Sequence, residues 1–149
     1  MRKKKVLVAM SGGVDSSAAA ALLVQQGYDC DGAMLKLAPN EDSRCCSADD
    51  AEDARQAATR LGMRFYVFTE TDRFRRCVMD RFTAEYAAGR TPNPCIDCNR
   101  ELKFGALLDR ALTLGYDYIA TGHYARVAYD AESGRYRLLR GAERRKGQS

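Results

Sequence analysis

Ser11-Gly12-Gly13-Val14-Asp15-Ser16-Ser17, the glycine loop, is the stretch that predicts the fold of this 149-residue chain. An apolar run at residues 6–10 precedes the loop, and a run rich in alanine and leucine follows it towards Gly27. This order predicts a buried strand, a glycine turn and a helix whose first turn carries hydroxyls. Glycine lets the backbone approach a ligand closely. Free N–H groups, hydroxyls and the positive end of the helix dipole then indicate a phosphate or pyrophosphate site.

The glycine loop differs from the two commonest nucleotide loops, G-x-x-x-x-G-K-[ST] and G-x-G-x-x-G. It contains Asp15, and a carboxylate beside phosphates suits Mg²⁺, which takes one or two carboxylates together with phosphate oxygens. For Ser-Gly-Gly alone, an ordinary strand-to-helix turn with a capping serine is the alternative interpretation. The full pattern is more specific. It resembles the pyrophosphate-binding loop of the N-type ATP pyrophosphatases, which cleave ATP between its α and β phosphates to adenylate a substrate.

Composition restricts the class of protein. With 46% apolar and 30% charged residues, the chain is typical of a globular domain. Its longest apolar run, residues 18–24, is too short to cross a bilayer, so we expect no membrane partner. The basic residues 2–5 precede only about five apolar residues, fewer than an export signal needs, which predicts a cytoplasmic location. The net charge of +4 is compatible with an RNA partner without requiring one.

Strands are predicted at residues 4–9, 28–37, 65–68 and 118–120, and they alternate with helices at 16–26, 47–61, 72–88 and 100–114. Ser47 and Asp50 have the spacing of a capping box. Periodicity in the last helix predicts an inward face of Phe104, Leu107, Leu108, Ala111 and Leu112. The alternation predicts an α/β fold with a doubly wound, Rossmann-like parallel sheet, whose ligands bind at the carboxyl ends of the strands.

A change of pattern follows residue 124, because alternating apolar residues around Glu132-Ser133-Gly134 predict a β-hairpin. We therefore expect a nucleotide-binding domain over residues 1–124, with a hairpin and basic tail over residues 125–149. The tail has no capped element, which we interpret as the start of a missing C-terminal region.

Cys95 and Cys98 form a C-x-x-C pair with three possible roles. With Cys45-Cys46 they supply the four ligands of a structural zinc site. A redox dithiol is the second role, although such pairs normally follow a strand directly. The third is a reactive thiol, since Cys98 is predicted at or just before the start of the last helix, flanked by Arg100 and Lys103. Helix N-termini and nearby cations favour the nucleophilic thiolate.

His123 is the only histidine, and it follows Gly122 at the predicted carboxyl end of a strand. It is either structural or a contact to phosphate or substrate. The tail carries further cations, which are either a solvated face or contacts to RNA phosphates with salt-dependent affinity: Arg140, Arg144, Arg145 and Lys146.

Several motifs occur together in one order. They are residues 10–17, Cys46-Ser47 with Asp53-Ala-Arg55, Gly89-Arg-Thr-Pro-Asn-Pro-Cys95, Cys98-Asn99 with Lys103-Phe104, Ala120-Thr-Gly-His-Tyr-Ala-Arg126, and Lys146-Gly-Gln-Ser149. This combination resembles the tRNA-specific 2-thiouridylases of the ATP pyrophosphatase superfamily, with their adenine nucleotide α-hydrolase fold. The resemblance implies a tRNA sulfurtransferase. ATP adenylates the oxygen on carbon 2 of the wobble uridine, and sulfur from a cysteine persulfide replaces it.

The resemblance also implies residue roles. The residues implied to bind ATP are Ala9, Met10, Ser11, Gly12, Gly13, Val14, Asp15 and Ser16, with Met34 and Gly122 near the adenosine. Those implied to meet the target base are Asn93, Pro94 and Cys95. Cys98 is implied as the nucleophilic cysteine. Those implied to contact tRNA are His123, Lys146, Gly147 and Gln148.

Two departures from the family pattern change what we expect. Gly147 stands where the tail block usually has aspartate, and Cys95 stands where some members have aspartate. With cysteine there, Cys95, Cys98 and a later cysteine have the ligand type of a 4Fe–4S cluster. Family members are longer, so we expect the persulfide cysteine beyond residue 149 and an N-terminal catalytic domain that cannot thiolate tRNA alone.

A sulfur-donor protein, either a cysteine desulfurase or a relay protein, is the expected partner besides tRNA. Two alternative functions remain open. One is an ATP pyrophosphatase that adenylates a different acceptor. The other is a non-catalytic RNA-binding module that holds a metal through its cysteines.

Overall fold

The computed structural model describes residues 2–38 and 47–142. Its larger sheet has four parallel strands: β1 (Lys5–Ala9), β2 (Asp29–Lys36), β3 (Phe65–Thr69) and β4 (Tyr118–Ala120). Their order is β3-β2-β1-β4, so the chain leaves β1 towards one edge and returns through β4 on the other side. The predicted doubly wound sheet is therefore confirmed.

Four helical regions connect these strands; three have bounds close to those predicted, whereas the last begins at Pro94 rather than near residue 100. The elements are α1 (Val14–Gln25), α2 (Ala48–Arg60), α3 (Thr71–Phe74), α4 (Asp80–Ala87), α5 (Pro94–Cys98) and α6 (Leu107–Thr113). A π-helical segment, Arg75–Met79, joins α3 to α4, and a second one, Asn99–Ala106, joins α5 to α6. Within the described residues, none of these helices has the length and apolar character needed to cross a membrane.

The central strand β1 is buried on both faces, as expected for a parallel strand between two helical layers. Leu7 packs in one layer with Leu102 and Leu107 from the α5–α6 region. Val8 packs in the other layer with residues of α1 and α2. The buried residues of these two helices include Ala20, Ala54 and Ala58, whose small side chains allow helix and sheet to approach closely.

The start of α2 is fixed by the predicted capping box. The backbone N–H of Asp50 donates to Ser47 Oγ at 3.1 Å, and the N–H of Ser47 donates to Asp50 Oδ2 at 3.1 Å. This helix start also packs on the glycine loop, because a Cβ built on Gly12 would lie 2.5 Å from the carbonyl oxygen of Asp50. Gly12 has a φ of 78°, a conformation that side-chain-bearing residues rarely adopt.

A buried carboxylate joins three parts of the chain near the amino ends of β3 and β4. Asp31 accepts hydrogen bonds from the Arg64 backbone N–H at 2.9 Å, the Arg64 guanidinium at 2.7 Å and the Tyr116 hydroxyl at 2.6 Å. Burial raises the pKa of Asp31, but hydrogen bonds from Arg64 and Tyr116 outweigh it and lower the pKa overall. The carboxylate of Asp31 is therefore ionised and stabilises the fold. It lies near the amino ends of the strands, away from their carboxyl ends.

The predicted hairpin is confirmed by β5 (Ala125–Asp130) and β6 (Arg135–Arg140), which pair antiparallel in a separate two-stranded sheet. Gly134 in the turn has a φ of 65°. The division of the chain into units of residues 1–124 and 125–149 stays a prediction.

Candidate functional site

A cavity of about 210 Å³ lies where β1 and β4 end. β2 and β4 flank β1 on opposite sides, so this edge is the point where the strand order reverses. Ligands of doubly wound sheets bind at such points. The fold therefore places the cavity where the sequence predicts a ligand.

Eight of the residues predicted from sequence line this cavity: Ala9, Met10, Ser11, Asp15, Ser16, Met34, Gly122 and His123. The predicted residues Gly12, Gly13 and Val14 belong to the same loop but do not line the cavity. Six lining residues were not predicted as site residues: Ala33, Leu35, Leu37, Lys103, Leu107 and Thr121. Most of these are apolar side chains that also belong to the core.

The glycine loop leaves the start of α1 open. Gly13 is the N-cap residue of α1, and no side chain caps the first N–H groups of this helix. Ser16 Oγ accepts from the Ser11 N–H at 3.2 Å and lies 3.2 Å from the Gly13 carbonyl oxygen, to which it donates. These bonds shape the loop while the N–H groups of the first helical turn stay available to an anion.

Gly122 brings the end of β4 against this helix start. A Cβ built on Gly122 would lie 2.8 Å from the backbone nitrogen of Ser16 and 3.0 Å from its Cα. The first distance is shorter than real Cβ atoms show, and the second is tighter than nearly all of them, so only glycine fits without a shift of the backbone. The two loops that form the cavity are therefore packed directly on each other.

Asp15 is exposed in the first turn of α1 and lines the cavity. The Tyr124 hydroxyl donates a hydrogen bond of 2.6 Å to Asp15 Oδ1. A cation that approaches this carboxylate therefore meets one oxygen, Oδ1, that already accepts a hydrogen bond. This bond also links the residue after His123 to the glycine loop.

His123 lines the cavity beside β4, with Nδ1 2.8 Å from Thr121 Oγ1. Its ring centroid is 5.4 Å from that of Phe104. Burial lowers the pKa of His123, and the positive charge of Lys103 lowers it further. The imidazole is therefore neutral near pH 7, which suits a hydrogen bond more than an ion pair.

The cysteine pair lies on α5, which begins earlier than the sequence predicted. Asn93 caps this helix, since its Oδ1 accepts from the Cys95 N–H at 3.2 Å, and Pro94 takes the first helical position. Proline is tolerated there because that residue needs no N–H partner. The prediction that Cys98 lies at a helix start is therefore wrong: Cys98 is the last residue of α5, and Cys95 is in the first turn.

None of the residues predicted to meet the target base or to act as nucleophile lines the cavity: Asn93, Pro94, Cys95 and Cys98. Cys95 is exposed, and Cys98 is half-buried against the core layer that contains Leu102. The structure thus separates the cavity at the glycine loop from α5, which carries Cys95 and Cys98 and is called the cysteine helix below.

Asp97 anchors the cysteine helix, and sequence reasoning missed it. Its buried carboxylate lies 3.2 Å from Arg81 Nη1 and 3.1 Å from Arg100 Nη2. Arg81 belongs to α4, so this pair ties α5 to the preceding helical region. The acidic residue between the two cysteines was the available sequence signal, but its partner 16 residues away was not recognisable.

Cys95 and Cys98, two of the four predicted zinc ligands, lie in the described part of the chain. Residues 2–38 and 47–142 contain no group of three or more histidine, cysteine, aspartate or glutamate side chains placed to hold one metal ion. The other predicted zinc ligands, Cys45 and Cys46, lie outside the described residues. The same is true of the predicted tRNA contacts Lys146, Gly147 and Gln148.

Residues 4–149 match the model of a protein family described as "tRNA methyl transferase HUP domain". Curated relatives include the tRNA-specific 2-thiouridylases MnmA of Carboxydothermus hydrogenoformans and Moorella thermoacetica, which are 53% and 54% identical. The alignments cover 99% and 96% of this chain but 42% of each relative. The chain therefore spans less than half the length of these curated relatives.

Solved structures share the fold at lower identity. A predicted subunit of tRNA methyltransferase from Methanocaldococcus jannaschii gives a TM-score of 0.55 at 23% identity, over 80% of this chain and 52% of its own. A glutamine-dependent NAD⁺ synthetase from Acinetobacter baumannii, in complex with ADP, gives 0.54 at 18% identity, over 78% of this chain and 21% of its own. At these identities the likeness shows the Rossmann-like sheet and its flanking helices.

Proposed function

The chain belongs to the tRNA methyl transferase HUP domain family, and from this premise we propose that it binds ATP for the 2-thiolation of the wobble uridine of tRNA. The family description refers to methyl transfer, whereas relatives of about 50% identity are 2-thiouridylases. We follow the relatives, because a phosphate-type loop and a cysteine helix suit adenylation and sulfur transfer. The proposed activity is that of an ATP-dependent tRNA-uridine 2-sulfurtransferase.

The observation that carries the proposal is the cavity at the carboxyl ends of β1 and β4. Uncapped N–H groups of α1 and the helix dipole suit the β and γ phosphates of ATP. In this proposal the phosphates lie along residues 9–16. Met34 and Gly122, which line the same cavity, lie near the adenosine.

Asp15 is the residue proposed to hold Mg²⁺. One carboxylate together with phosphate oxygens is a donor set that Mg²⁺ commonly takes, and Asp15 is exposed on the cavity wall. When bound, the ion would supply positive charge to the phosphates. The residues of this chain would do the positioning: the loop orients the phosphates, and the Tyr124 hydroxyl orients Asp15.

In the proposed reaction, the oxygen on carbon 2 of the uridine attacks the α phosphorus of ATP and pyrophosphate leaves. The outer sulfur of a cysteine persulfide then attacks carbon 2, and AMP leaves with the activated oxygen. The Cys98 thiolate next attacks the inner sulfur of the persulfide, so the S–S bond breaks, the outer sulfur stays on carbon 2 and the two cysteines form a disulfide. Cys98 is proposed as the nucleophilic cysteine, while Asn93, Pro94 and Cys95 meet the target base, which must leave its stack to be reached. His123 and residues 146–148 are the proposed tRNA contacts.

The sulfur is proposed to come from a cysteine desulfurase or a relay protein. The described residues fit a 4Fe–4S cluster poorly, because Cys95 and Cys98 provide two thiols where such clusters take three or four. We therefore derive no step through a cluster, and its presence stays a prediction that iron and sulfide analysis of the purified protein tests. A cytoplasmic location agrees with a tRNA substrate and remains part of the proposal.

Pyrophosphate release tests the proposed function. The protein is mixed with Mg-ATP and an unmodified tRNA that carries a wobble uridine, and a matched tRNA with cytidine at that position is the control. We expect pyrophosphate to form with the uridine tRNA and not with the cytidine tRNA. Equal release with both tRNAs would favour an ATP pyrophosphatase with another acceptor. Stoichiometric zinc in protein that binds no ATP would favour the non-catalytic metal module.

A further inference from the structure

Lys103 is a cavity residue with no role in the function described so far. It lies in the π-helical segment Asn99–Ala106 and lines the same cavity as Asp15, Ser16 and His123. Its neighbours in the segment, Leu102 and Ala106, are 0% and 2% exposed and fix the segment to the core. Lys103 itself is exposed. The buried neighbours therefore hold the backbone while the lysine side chain is free to reach a ligand.

No carboxylate among the residues that the structure describes neutralises the charge of Lys103. Within residues 2–38 and 47–142, Lys103 forms no ion pair, whereas Arg100 is paired with Asp97 and Arg110 with Glu70. Lys103 and Asp15 are also the only charged side chains among the described residues that line the cavity. The positive charge of Lys103 reaches the cavity interior, since it lowers the pKa of His123 as the second cause, with burial as the first.

The place of Lys103 on its helix indicates which phosphate it meets. Lys103 follows Cys98 by five residues: Cys98 is the last residue of α5, and Lys103 lies in the π-helical segment that continues it. Lys103 is thus close in the chain to α5, where the proposed base is received, and lines the cavity beside the glycine loop, where the β and γ phosphates are proposed to lie. The α phosphate of ATP is the group between those two places.

We propose that Lys103 is a catalytic residue that contacts the α phosphate of ATP, an inference that rests on the proposed function. When the uridine oxygen forms its bond to the α phosphorus, the bond from that phosphorus to the β-bridging oxygen breaks, and pyrophosphate leaves with the electron pair. Lys103 stays protonated throughout and transfers no proton. Its ammonium group stabilises negative charge on the α-phosphate oxygens, as a cation directed at developing charge does.

The test compares Lys103→Met and Lys103→Arg with Lys3→Met, whose lysine precedes β1 at the opposite edge of the sheet. Calorimetry measures ATP affinity, and ³¹P NMR of bound ATP reports each phosphate separately. We expect Lys103→Met to weaken ATP binding by at least about tenfold and to remove the shift of the α resonance on binding. Lys103→Arg should keep most of that shift, and Lys3→Met should match the wild type. Because Lys103 is exposed, circular dichroism should show that all variants are folded.

Each other result has a separate meaning. A wild-type protein that binds no ATP overturns the proposed function together with the inference that rests on it, whereas the outcomes below overturn the inference alone. The inference is overturned if ATP bound to Lys103→Met shows the same shift of the α resonance as ATP bound to the wild type. A change confined to the β and γ resonances contradicts the assignment to the α phosphate. Loss of tRNA binding with unchanged ATP binding would make Lys103 a tRNA contact, which also overturns the inference.

Discussion

Substitution of Gly122 by alanine places a new Cβ against the start of α1, and the structure gives the distances from this atom to its neighbours. The added Cβ would lie 2.8 Å from Ser16 N and 3.0 Å from the Asp15 carbonyl carbon, whereas ordinary contact begins at 3.4 Å. Both atoms belong to the backbone at the start of α1, so no flexible side chain can move aside. Either the start of α1 or the end of β4 must shift by several tenths of an ångström.

This shift should affect ATP binding more than folding. Overpacking of this kind costs about 1–3 kcal/mol of unfolding free energy, which urea denaturation measures. The same displacement moves the N–H groups proposed to hold phosphate, and a loss of about 1.4 kcal/mol in binding lowers ATP affinity about tenfold. We expect Gly122→Ala to remain folded and to bind ATP at least about tenfold more weakly by calorimetry.

Gly27→Ala is the matched control. Gly27 has a φ of 87°, but a Cβ there meets nothing within 4 Å, so alanine costs about 1–2 kcal/mol through backbone conformation alone. Gly27 follows α1 at the far end from the cavity, and its variant should bind ATP as the wild type does. Equal ATP affinity in Gly122→Ala and the wild type would refute the packing argument. An equal loss of ATP affinity in both glycine variants would mean that reduced stability, not the contact at Gly122, weakens ATP binding.

Three further predictions concern single side chains. Asp15→Asn should weaken ATP binding about tenfold or more in Mg²⁺ and much less in EDTA; equal losses in both buffers would contradict a magnesium role. Tyr116→Phe should lower the unfolding free energy by about 1–3 kcal/mol at pH 7, and urea denaturation measures this. Because the pKa of Asp31 is lower in the folded state, its contribution is present above its unfolded pKa of about 3.9 and is lost as pH falls through the folded value. The difference in unfolding free energy between the wild type and Tyr116→Phe should therefore shrink in acid. A difference that stays constant with pH would contradict the role of the Asp31 carboxylate. Cys98→Ser should leave ATP affinity unchanged, since Cys98 lies outside the cavity; a tenfold loss would contradict that separation.

The fold and the position of the cavity were predictable because they depend on local sequence patterns. An apolar run, two glycines and a helix start occur within about 20 residues, and the alternation of strands and helices fixes the parallel sheet. The capping box at Ser47 and Asp50 is equally local and was also confirmed. The carboxyl ends of β1 and β4 then had to meet at one edge, whatever the details of the helices between them.

The cysteine helix was less predictable, because proline has two opposite uses. Proline interrupts a helix interior but suits the first helical position, and the sequence alone favoured a later start. The π-helical segment that follows also changes the helix periodicity. Phe104, Leu108 and Leu112 were expected inward but are 44%, 39% and 60% exposed, while Leu107 and Ala111 are buried as predicted.

Long-range polar contacts could not be predicted from one sequence. Asp31 and Tyr116 are 85 residues apart in the chain, and the Tyr124 hydroxyl reaches Asp15 across 109 residues. No local pattern marks such partners, because they meet only once the sheet has formed. Lys103 was noted beside Cys98, but its place on the cavity wall depends on the π-helical segment.

Competition between ATP and pyrophosphate for the purified protein tests the central claim most directly. Mg-ATP is titrated into the chain in a calorimeter, first alone and then with saturating pyrophosphate. A phosphate site at the start of α1 predicts one ATP site whose apparent affinity falls as pyrophosphate occupies the glycine loop. Absence of ATP binding, or ATP binding that pyrophosphate does not change, would contradict this claim.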